Sequence, residues 1–558
     1  MGAKRSCATL ICLVLICSPA FGQAAIVAPD RSLKGILDYI NRSWTTLTRS
    51  LDNCATLIDP KVPDRSVLYL PAGMPIPSRL QELGTKCNVR VQNLPRRIAR
   101  LGEFDVNVLK DHGLLFLEHP YVVPGGRFNE MYGWDSFFII LGLLRDGRID
   151  LARGMVDNFL FEIEHYGAVL NANRTYFLTR SQPPFLTSMI LALYEVEKKS
   201  GREDREWLAR AYAGAEKDYQ LWTREPHLVA DTGLSRYYDF GQGPVPEEMA
   251  TYTEVLESFL RAVDTRYIEA KNAMNAGGPG FTLFACDEQT APPATKCKRL
   301  QTVGLKSEYY KGDRSMRESG FDISFRFGPY GADTHRYVPV CLNSLLYKTE
   351  KDMERISNLL RLADDAQRWR ARAQSRQQLM NKYLWDEHRG MFFDYNFEAQ
   401  KRSTYEYATT FYPLWAGLAT PEQARAVVRN LPTFEQVGGL AISPYQTRVQ
   451  WDYPYGWAPI QLLAAQGLRD YGFQEQANRI SYQWLSTVHV NFVKDGTIRE
   501  KYNVVTRSSE TPVAAGYKAN VVGFGWTNGV FLELLHALPR EWADRIGQTQ
   551  PSTTLPPR

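Results

Sequence analysis

The sequence lacks the short motifs by which several large enzyme classes are recognised. Its eight histidines are scattered over 558 residues, with no HExxH or comparable spacing of metal ligands. A GxSxG nucleophile elbow and a Walker-type phosphate loop are also missing, so the usual signals of acyl transfer and nucleotide chemistry are absent. We therefore expect neither a metal ion nor a cofactor.

Strong net charge and long apolar runs are absent as well. The formal net charge is +5, which is too small for a nucleic-acid interface in a protein of this size. The apolar run at residues 8–16 is well short of the roughly 20 residues that span a membrane, and no later segment is that long. Because it follows Lys4 and Arg5 and precedes a small-x-small pattern ending at Gly22, it is typical of a secretory signal peptide. We expect cleavage after Gly22 and an exported protein, periplasmic or secreted.

Cysteine is sparse, with eight residues, three of which precede the predicted cleavage site. The remaining five are an odd number. In an oxidising compartment we expect a disulfide between Cys286 and Cys297, and as a weaker candidate one between Cys54 and Cys87. Cys341 is then left over as a buried thiol.

What the sequence does contain is helical periodicity. From about residue 136 onward, apolar residues recur mostly at helical spacing, and alternating strand patterns are scarce. Helical stretches come in pairs at residues 136–144 and 151–164, 184–198 and 204–222, and 341–349 and 353–360. Such pairs are typical of stacked helical hairpins.

Six of the apolar helices open with an aromatic, proline or polar cluster. The clusters are GWD at 133–135, SQPP at 181–184, VPV at 338–340, FYP at 411–413, GWAP at 456–459 and GWTN at 525–528. Helix capping explains the Pro and Asp residues but not the tryptophans. We therefore predict a mainly α protein with an (α/α)6 barrel, in which six inner helices gather these openings around a pocket at one end.

The rest of the chain is divided around this barrel. We predict a signal peptide at 1–22, an N-terminal extension at 23–120 that packs on the barrel, the barrel itself at 121–540, and a disordered tail at 541–558. The extension has weaker periodicity and more proline, and the tail is polar and proline-rich.

Carboxylates among aromatic residues are the remaining chemical signal. Pyranose faces stack on Trp and Tyr, sugar hydroxyls pair with Asp, Glu and Arg, and cleavage of a glycosidic bond uses two carboxyl groups. By itself this signal favours a helical carbohydrate-active enzyme or a sugar-binding protein.

Several stretches resemble the trehalase family of glycoside hydrolases. Residues 124–136 (PGGRFNEMYGWDS) resemble the first trehalase signature, and residues 450–459 (QWDYPYGWAP) resemble the second. Supporting matches lie at 171–184, 318–322 (ESGFD), 384–386 (LWD), 500–502 (EKY) and 523–529 (GFGWTNG). They follow the family's order from about residue 120 to 535.

The resemblance implies an α/α barrel enzyme that hydrolyses α,α-trehalose to two glucoses with inversion at one anomeric carbon. Asp322 matches the general acid, whose pKa Phe321 and Phe325 could raise by desolvation. Glu500 matches the general base, and an inverting pair stands roughly 6.5–9.5 Å apart. Without the resemblance, Asp322 would be interpreted as a helix cap and Glu500 as a solvated ion-pair partner of Lys501.

Further residues match the family's sugar-binding positions. Those that hold sugar hydroxyls are Arg127, Asn171 and Arg180. Those that form the pocket walls are Phe128, Tyr132, Trp134, Trp451 and Trp526. Secondary candidates are Asp135, Gln182, Glu247 and Asp452. For each aromatic residue, core packing is the alternative.

The sequence also departs from the family. Val245 stands where an arginine usually precedes Pro-Glu, so we predict that one side chain that would hold the sugar is missing. Residues 504–518 replace a glycine-rich lid. Tyr455 and Asn503 replace an Asn and an Asp. The expected partner is therefore a disaccharide, with trehalose first. The alternatives are another gluco-disaccharide or a non-catalytic sugar-binding relative. We expect a monomer that binds neither nucleic acid nor, after loss of the signal, a membrane.

Overall fold

The computed structural model describes residues 32–272, 277–285, 297–515 and 517–546, most of them in helices and the loops between them. The predicted signal peptide lies outside these residues. The helices are α1 (Leu33–Leu47), α2 (Cys54–Leu57), α3 (Ser78–Cys87), α4 (Gly133–Arg145), α5 (Ile149–His165), α6 (Leu186–Lys199), α7 (Arg205–Trp222), α8 (Met249–Arg261), α9 (Ser307–Glu318), α10 (Val340–Leu360), α11 (Ala363–Tyr383), α12 (Tyr412–Trp415), α13 (Pro421–Arg429), α14 (Ala458–Asp470), α15 (Gln474–Asp495), α16 (Gly525–Ala537) and α17 (Arg540–Ile546).

The strands are short and belong to small separate sheets. They are β1 (Thr48–Arg49), β2 (Val67–Leu70), β3 (Arg90–Asn93), β4 (Leu114–Leu115), β5 (Tyr121–Val122), β6 (Leu228–Val229), β7 (Leu234–Ser235), β8 (Ile268–Ala270), β9 (Phe281–Ala285), β10 (Lys298–Leu305), β11 (Tyr337–Val338), β12 (Trp385–Asp386), β13 (Met391–Phe392), β14 (Tyr395–Asn396), β15 (Lys401–Arg402), β16 (Glu435–Gln436), β17 (Gly439–Leu440), β18 (Tyr455–Trp457) and β19 (Lys501–Asn503).

Six helices form a closed inner ring. In ring order, α4, α6, α10, α12, α14 and α16 each pack against the next, and α16 packs against α4. These are the six helices whose opening clusters stand out in the sequence, so the predicted (α/α)6 barrel is confirmed. Helices α5, α7, α11 and α15 each pack against the inner helix that precedes them.

Burial explains which helices are inner and which are outer. Helix α14 buries every residue from Ala458 to Ala465, and α16 buries every residue from Gly525 to Leu534. Helix α11, by contrast, buries a single stripe that includes Trp369, Ala373 and Met380. A helix apolar all round requires neighbours on every side, whereas an amphipathic helix suits the outside.

One predicted helix pair is wrong. Residues 341–349 and 353–360 form a single helix, α10, and its outer partner is α11. The polar residues between the two apolar stretches suggested a loop, but Glu350 and Asp352 are buried within the helix. Asp352 accepts hydrogen bonds there from Thr187 and Ser188.

The N-terminal segment packs directly on the barrel. Helix α1 contacts α15 and α16, and the buried Trp44 donates from Nε1 to Asp146, 2.6 Å away. Strands β3, β2 and β4 form a parallel sheet, and the segment contains a disulfide between Cys54 and Cys87.

A smaller unit with its own core lies between α7 and α10. It comprises α8, the antiparallel sheet β8-β10-β9 and α9, around buried residues that include Tyr252, Phe259 and Leu305. Cys297, at its edge, is disulfide-bonded, and its predicted partner Cys286 lies outside the described residues. Cys341 is a buried free thiol, as predicted.

The chain's end differs from the prediction. Residues 540–546 form α17, in which Ile546 is buried and Trp542 packs edge-on against Tyr482. The predicted disordered tail therefore cannot begin at residue 541, and residues 547–558 lie outside the described part. Over the described ranges, none of the helices has the length and apolar character needed to cross a bilayer.

Candidate active site

A cavity of 420 Å³ opens where inner helices begin. Residues at or just before the first turns of α4, α6, α14 and α16 line it, including Trp134, Gln182, Trp457 and Trp526. The loop between α9 and α10 adds Asp322. The barrel thus brings distant parts of the sequence to one site.

Tryptophans form one apolar wall of the cavity. Trp451 stacks on Trp457 with ring centroids 3.9 Å apart and planes 5° apart. Trp134 lies 5.9 Å from Trp451, and its plane is nearly perpendicular to that of Trp526 at 5.6 Å. All four are buried yet line the cavity, so they serve both core packing and the pocket wall. Flat aromatic faces of this kind suit the C–H faces of a sugar ring.

Asp322 lies in the loop that follows α9. The turn before it contains Gly320 at φ +75°, where a Cβ atom would come within 2.8 Å of Trp134. The Asp322 side chain is 18% exposed. Burial raises the pKa of its carboxyl to about 7, against the opposing charges of Arg317 and Arg180. A carboxyl group of this kind can carry a proton near neutral pH.

Asp452 lies behind this loop and is not among the residues that line the cavity. It is fully buried and accepts hydrogen bonds from the backbone N–H of Phe325 at 2.9 Å and from Thr447 at 2.7 Å, Tyr405 at 2.9 Å and Ser443 at 3.0 Å. The structure therefore does not bring Asp452, a secondary candidate for substrate binding, into the cavity with the other predicted residues. Its carboxylate instead holds the segment after Asp322 in place.

Glu500 reaches the cavity from the chain just before β19. Its backbone N–H donates to Val521, and its carbonyl accepts from Trp526 Nε1 at 3.2 Å. Lys501, whose side chain is fully buried, donates to Glu500 Oε2 at 3.0 Å. The Lys501 ammonium also lies 5.0 Å from the ring centre of Trp457, its partner across the β18–β19 pair. Since the Glu500 side chain is only 9% exposed, this is a buried ion pair and not a solvated one.

A third carboxyl group, Asp135, lines the cavity in the first turn of α4. Burial raises its pKa well above the usual range, and the charges of Glu500 and Asp322 raise it further. A neutral carboxylic acid can donate a hydrogen bond as well as accept one.

Arg180 and Glu247 form a charged wall. Arg180 donates to Glu247, and its Nη1 lies 3.6 Å from Asp239. Burial alone would raise the pKa of Glu247, but the guanidinium groups of Arg180 and Arg317 outweigh it and lower the pKa.

Two of the predicted polar residues, Gln182 and Asn171, hydrogen-bond to the protein backbone at the cavity wall. Gln182 Oε1 accepts from the N–H of Trp134 at 2.9 Å. Asn171 donates to the carbonyl of Ser181 at 3.3 Å. Both also line the cavity.

The cavity rim carries Arg127, Phe128 and Tyr132. The Arg127 guanidinium lies 4.6 Å from the ring centre of Phe128 and 5.3 Å from that of Tyr517. Tyr517 belongs to the segment that differs from the family's lid, and the next residue, Lys518, pairs with Glu254 of α8.

Twelve lining residues lie outside the sequence-based set. They are Pro60, Lys61, Pro124, Tyr176, Phe177, Glu248, Arg317, Gly320, Gln450, Trp457, Tyr517 and Phe524. Gln450 and Trp457 belong to the second signature, and Arg317 directly precedes the ESGFD stretch, so proximity to a motif could have indicated them. Nothing in the sequence points to Lys61, which comes from the N-terminal segment.

Although Val245 replaces the arginine that is usual in the family, other arginine side chains line the cavity. Val245 is fully buried in the core of the small unit. Arg127, Arg180 and Arg317 all line the cavity. Across the described ranges, no cluster of three or more His, Cys, Asp or Glu side chains has an arrangement that could hold a metal ion.

Known proteins resemble this chain in sequence and in fold. A family model described as Trehalase matches residues 25–539. A probable trehalase of Eremothecium gossypii is 37% identical over 579 residues, covering 92% of this chain and 74% of that protein. A cytosolic neutral trehalase of Saccharomyces cerevisiae is 37% identical over 553 residues, covering 88% and 69%. The solved structure of neutral trehalase Nth1 from Saccharomyces cerevisiae matches with a TM-score of 0.76 at 34% identity, covering 93% of this chain and 96% of that one.

The comparison also corrects one prediction. Several relatives carry the name cytosolic neutral trehalase, so the prediction of a signal peptide and of a periplasmic or secreted protein is wrong. It depended on a short apolar run at residues 8–16, whose pattern does not by itself distinguish an export signal from another N-terminal segment.

Proposed function

Because this chain belongs to the trehalase family, we propose that it hydrolyses α,α-trehalose with Asp322 as general acid and Glu500 as general base. It is a glycoside hydrolase that releases two glucose molecules. The observation that carries the proposal is that both carboxyl groups line one cavity walled by tryptophans.

Asp322 is suited to give a proton to the glycosidic oxygen. With a pKa of about 7, a large fraction of the enzyme carries that proton at neutral pH. The departing glucose then leaves as a neutral alcohol, which avoids an unstable alkoxide.

Glu500 is suited to take a proton from water. Its Oε2 accepts a hydrogen bond from the buried ammonium of Lys501, which fixes the position of the carboxyl group. As the water oxygen bonds to the anomeric carbon, its proton passes to Glu500 while the bond to the departing oxygen breaks. Attack from the opposite face inverts that carbon, and exchange with solvent returns the protons to their starting positions.

The remaining polar groups bind the sugars in this proposal. Arg180, Glu247 and Asn171 hold hydroxyl groups, with Arg127 at the rim. Asp135 donates or accepts according to the hydroxyl it meets. The chain uses no metal or other cofactor and acts as a monomer, without nucleic-acid or membrane partners.

Glucose release tests the assignment of the pair. Trehalose, maltose, kojibiose and sucrose are each given to the wild-type protein and to Asp322→Asn and Glu500→Gln. We expect trehalose to be the preferred substrate, and kcat to fall about 10²- to 10⁴-fold in each variant.

Glu435→Gln is the matched control. Glu435 pairs with Arg479 and does not line the cavity, so this variant should keep wild-type kcat. Cleavage of another disaccharide in place of trehalose would refute the substrate, and binding without turnover of any sugar would favour the sugar-binding alternative.

A further inference from the structure

Lys61 is a cation at the cavity wall to which the mechanism above gives no role. It lies in the loop between α2 and β2, and Pro60 and Lys61 are the lining residues that come from the N-terminal segment. The Lys61 side chain is 41% exposed. A lysine at such a position usually keeps its long side chain mobile, because ordering it costs conformational entropy.

The tip of the Lys61 side chain is nevertheless held in place. Nζ donates to Glu130 Oε1 at 2.8 Å and to the hydroxyl oxygen of Tyr176 at 3.3 Å. The backbone N–H of Lys61 donates to Asp59 Oδ1 at 2.9 Å, which fixes the turn that presents the side chain. The ammonium group is therefore positioned at the wall before any ligand arrives.

A buried charge network lies behind this ammonium group. Arg174 Nε donates to Glu130 Oε1 at 2.7 Å, and Arg174 Nη2 donates to Asp59 Oδ2 at 2.5 Å. The side chains of these three residues are at most 3% exposed. Burial alone would raise the pKa of Glu130, but the charges of Lys61 and Arg174 outweigh it and lower that pKa to about 2. Two cations thus face two carboxylates, and the network is balanced without an anionic ligand.

One N–H of the Lys61 ammonium group remains for a ligand. Lysine carries three N–H donors, and across the described ranges Glu130 and Tyr176 accept two of them. Because Lys61 lines the cavity, a molecule bound there can supply the third acceptor. Since the charges beside it are balanced, a neutral polyol with hydroxyl oxygens suits this position better than an anion.

The same wall connects Lys61 with a residue that binds sugar in the proposed function. Tyr176 packs edge-on against Phe177 with ring centroids 4.6 Å apart, and the Arg180 guanidinium lies 4.8 Å from the ring centre of Phe177. All four residues line the cavity. Lys61 and Arg180 therefore lie on one wall, with the two aromatic rings between them.

We propose that Lys61 is a substrate-contacting residue, whose third N–H donates to a hydroxyl oxygen of the disaccharide at the wall that Tyr176 and Phe177 form. The N-terminal segment then supplies part of the binding site in addition to packing on the barrel. This inference rests on the proposed function. Two other roles would explain the position of Lys61 without contact to substrate: an anchor that ties the segment to the barrel, or a charge that only adjusts the acids of the cavity.

Binding measured without turnover separates these roles. Isothermal titration with trehalose is carried out on Asp322→Asn and on the same variant carrying Lys61→Met. Loss of a hydrogen bond from a charged donor predicts that Lys61→Met raises Kd about tenfold. Glu130 keeps Arg174 as a partner in this variant, so we expect the protein to fold.

The control is Lys351→Met in the same Asp322→Asn background. Lys351 of α10 is 42% exposed and pairs with Glu354, which is 10% exposed, and it does not line the cavity. It therefore matches Lys61 in exposure and in having a carboxylate partner, and we expect unchanged Kd. If Lys61→Met does not fold, Lys61→Gln, which carries a neutral donor on a shorter side chain, decides: Kd equal to that of Asp322→Asn would overturn the proposal.

Failure of the two proposals is distinguishable. If trehalose does not bind to Asp322→Asn or turn over in the wild type, the proposed function fails. If trehalose binds equally with and without Lys61 while Tm falls, Lys61 is only an anchor and the contact proposal is wrong. Equal binding with a shifted pH profile of kcat in the Lys61→Met single variant would also overturn it, because Lys61 would then act only through its charge.

Discussion

At the residue scale, the burial of Asp322 links activity to pH. Its pKa, raised to about 7, places loss of the catalytic proton just above neutrality. We therefore expect kcat/KM for trehalose to fall as pH rises above about 7, approaching a tenfold loss per pH unit, because the deprotonated acid cannot assist the leaving group. A pH profile of the wild type checks this, and a profile flat to pH 9 would contradict it.

The buried ion pair of Lys501 and Glu500 gives a second residue-scale prediction. In Lys501→Met, Glu500 would remain buried without its cation, which costs about 3 to 5 kcal/mol of stability when a buried pair is broken. The kcat for trehalose should fall as well, because the Lys501 ammonium no longer orients the Glu500 carboxylate. Denaturant unfolding and kcat for trehalose provide the measurement.

Lys494→Met is the control for that experiment. Lys494 lies near the end of α15, and its side chain is 66% exposed where it pairs with Glu510. A change of less than about 0.5 kcal/mol is expected there. Equal effects of the two substitutions would show that burial of Lys501 has no special role.

Residue identities were predictable where a motif carried them. Asp322, Glu500 and the tryptophans all come from recognisable stretches and line one cavity. Asp452 follows Trp451 in the second signature, but it accepts a hydrogen bond from the backbone of the loop after Asp322 and does not line the cavity. Adjacent residues of a loop can point to opposite sides. Lys61 could not be inferred, since it comes from the N-terminal segment and reaches the cavity only through the packing of that segment on the barrel.

At the scale of elements, glycines set the contact between α4 and α16. A Cβ atom on Gly529 would lie 2.0 Å from the carbonyl oxygen of Phe138, and one on Gly142 would lie 2.6 Å from the Cα of Gly529. Because backbone cannot move aside as a side chain can, we expect Gly529→Ala to destabilise the fold by about 1 to 3 kcal/mol or more. The Tm from circular dichroism measures it.

Gly277→Ala serves as the comparison. A Cβ atom there would meet Pro244 at an ordinary 3.6 Å, so Tm should not fall. An unchanged Tm in Gly529→Ala would mean that the two helices can separate without cost.

Helix positions were predictable from periodicity, and helix partners only in part. The six opening clusters mark the inner helices correctly, although only those of α4, α6, α14 and α16 supply residues that line the cavity. The break within α10 was predicted wrongly because polar residues such as Asp352 are satisfied by α6, and periodicity contains no information about a neighbouring element.

At the scale of the whole molecule, the N-terminal segment belongs to one core with the barrel. The division into 23–120 and 121–540 remains a prediction. Ile36, Ile40 and Trp44 share the main hydrophobic cluster with the inner helices, and Lys61 lines the cavity. We therefore propose that the two parts fold as one cooperative unit.

Truncation tests this unity. A chain that begins at residue 121 should lack a cooperative thermal transition and activity, because the apolar surface of α15 and α16 would be exposed. A chain that begins at residue 32 is the control and should unfold in one transition. A soluble, active fragment from residue 121 would show that the barrel is independent.

The most direct measurement is the anomeric configuration of glucose during the first seconds of trehalose hydrolysis by wild-type protein, followed by proton NMR. With water activated by Glu500 on the face opposite the bond that Asp322 protonates, we expect equal amounts of α- and β-glucose before mutarotation. Exclusive initial formation of α-glucose would mean retention at the attacked carbon, and the assignment of an acid and a base in one inverting displacement would be wrong.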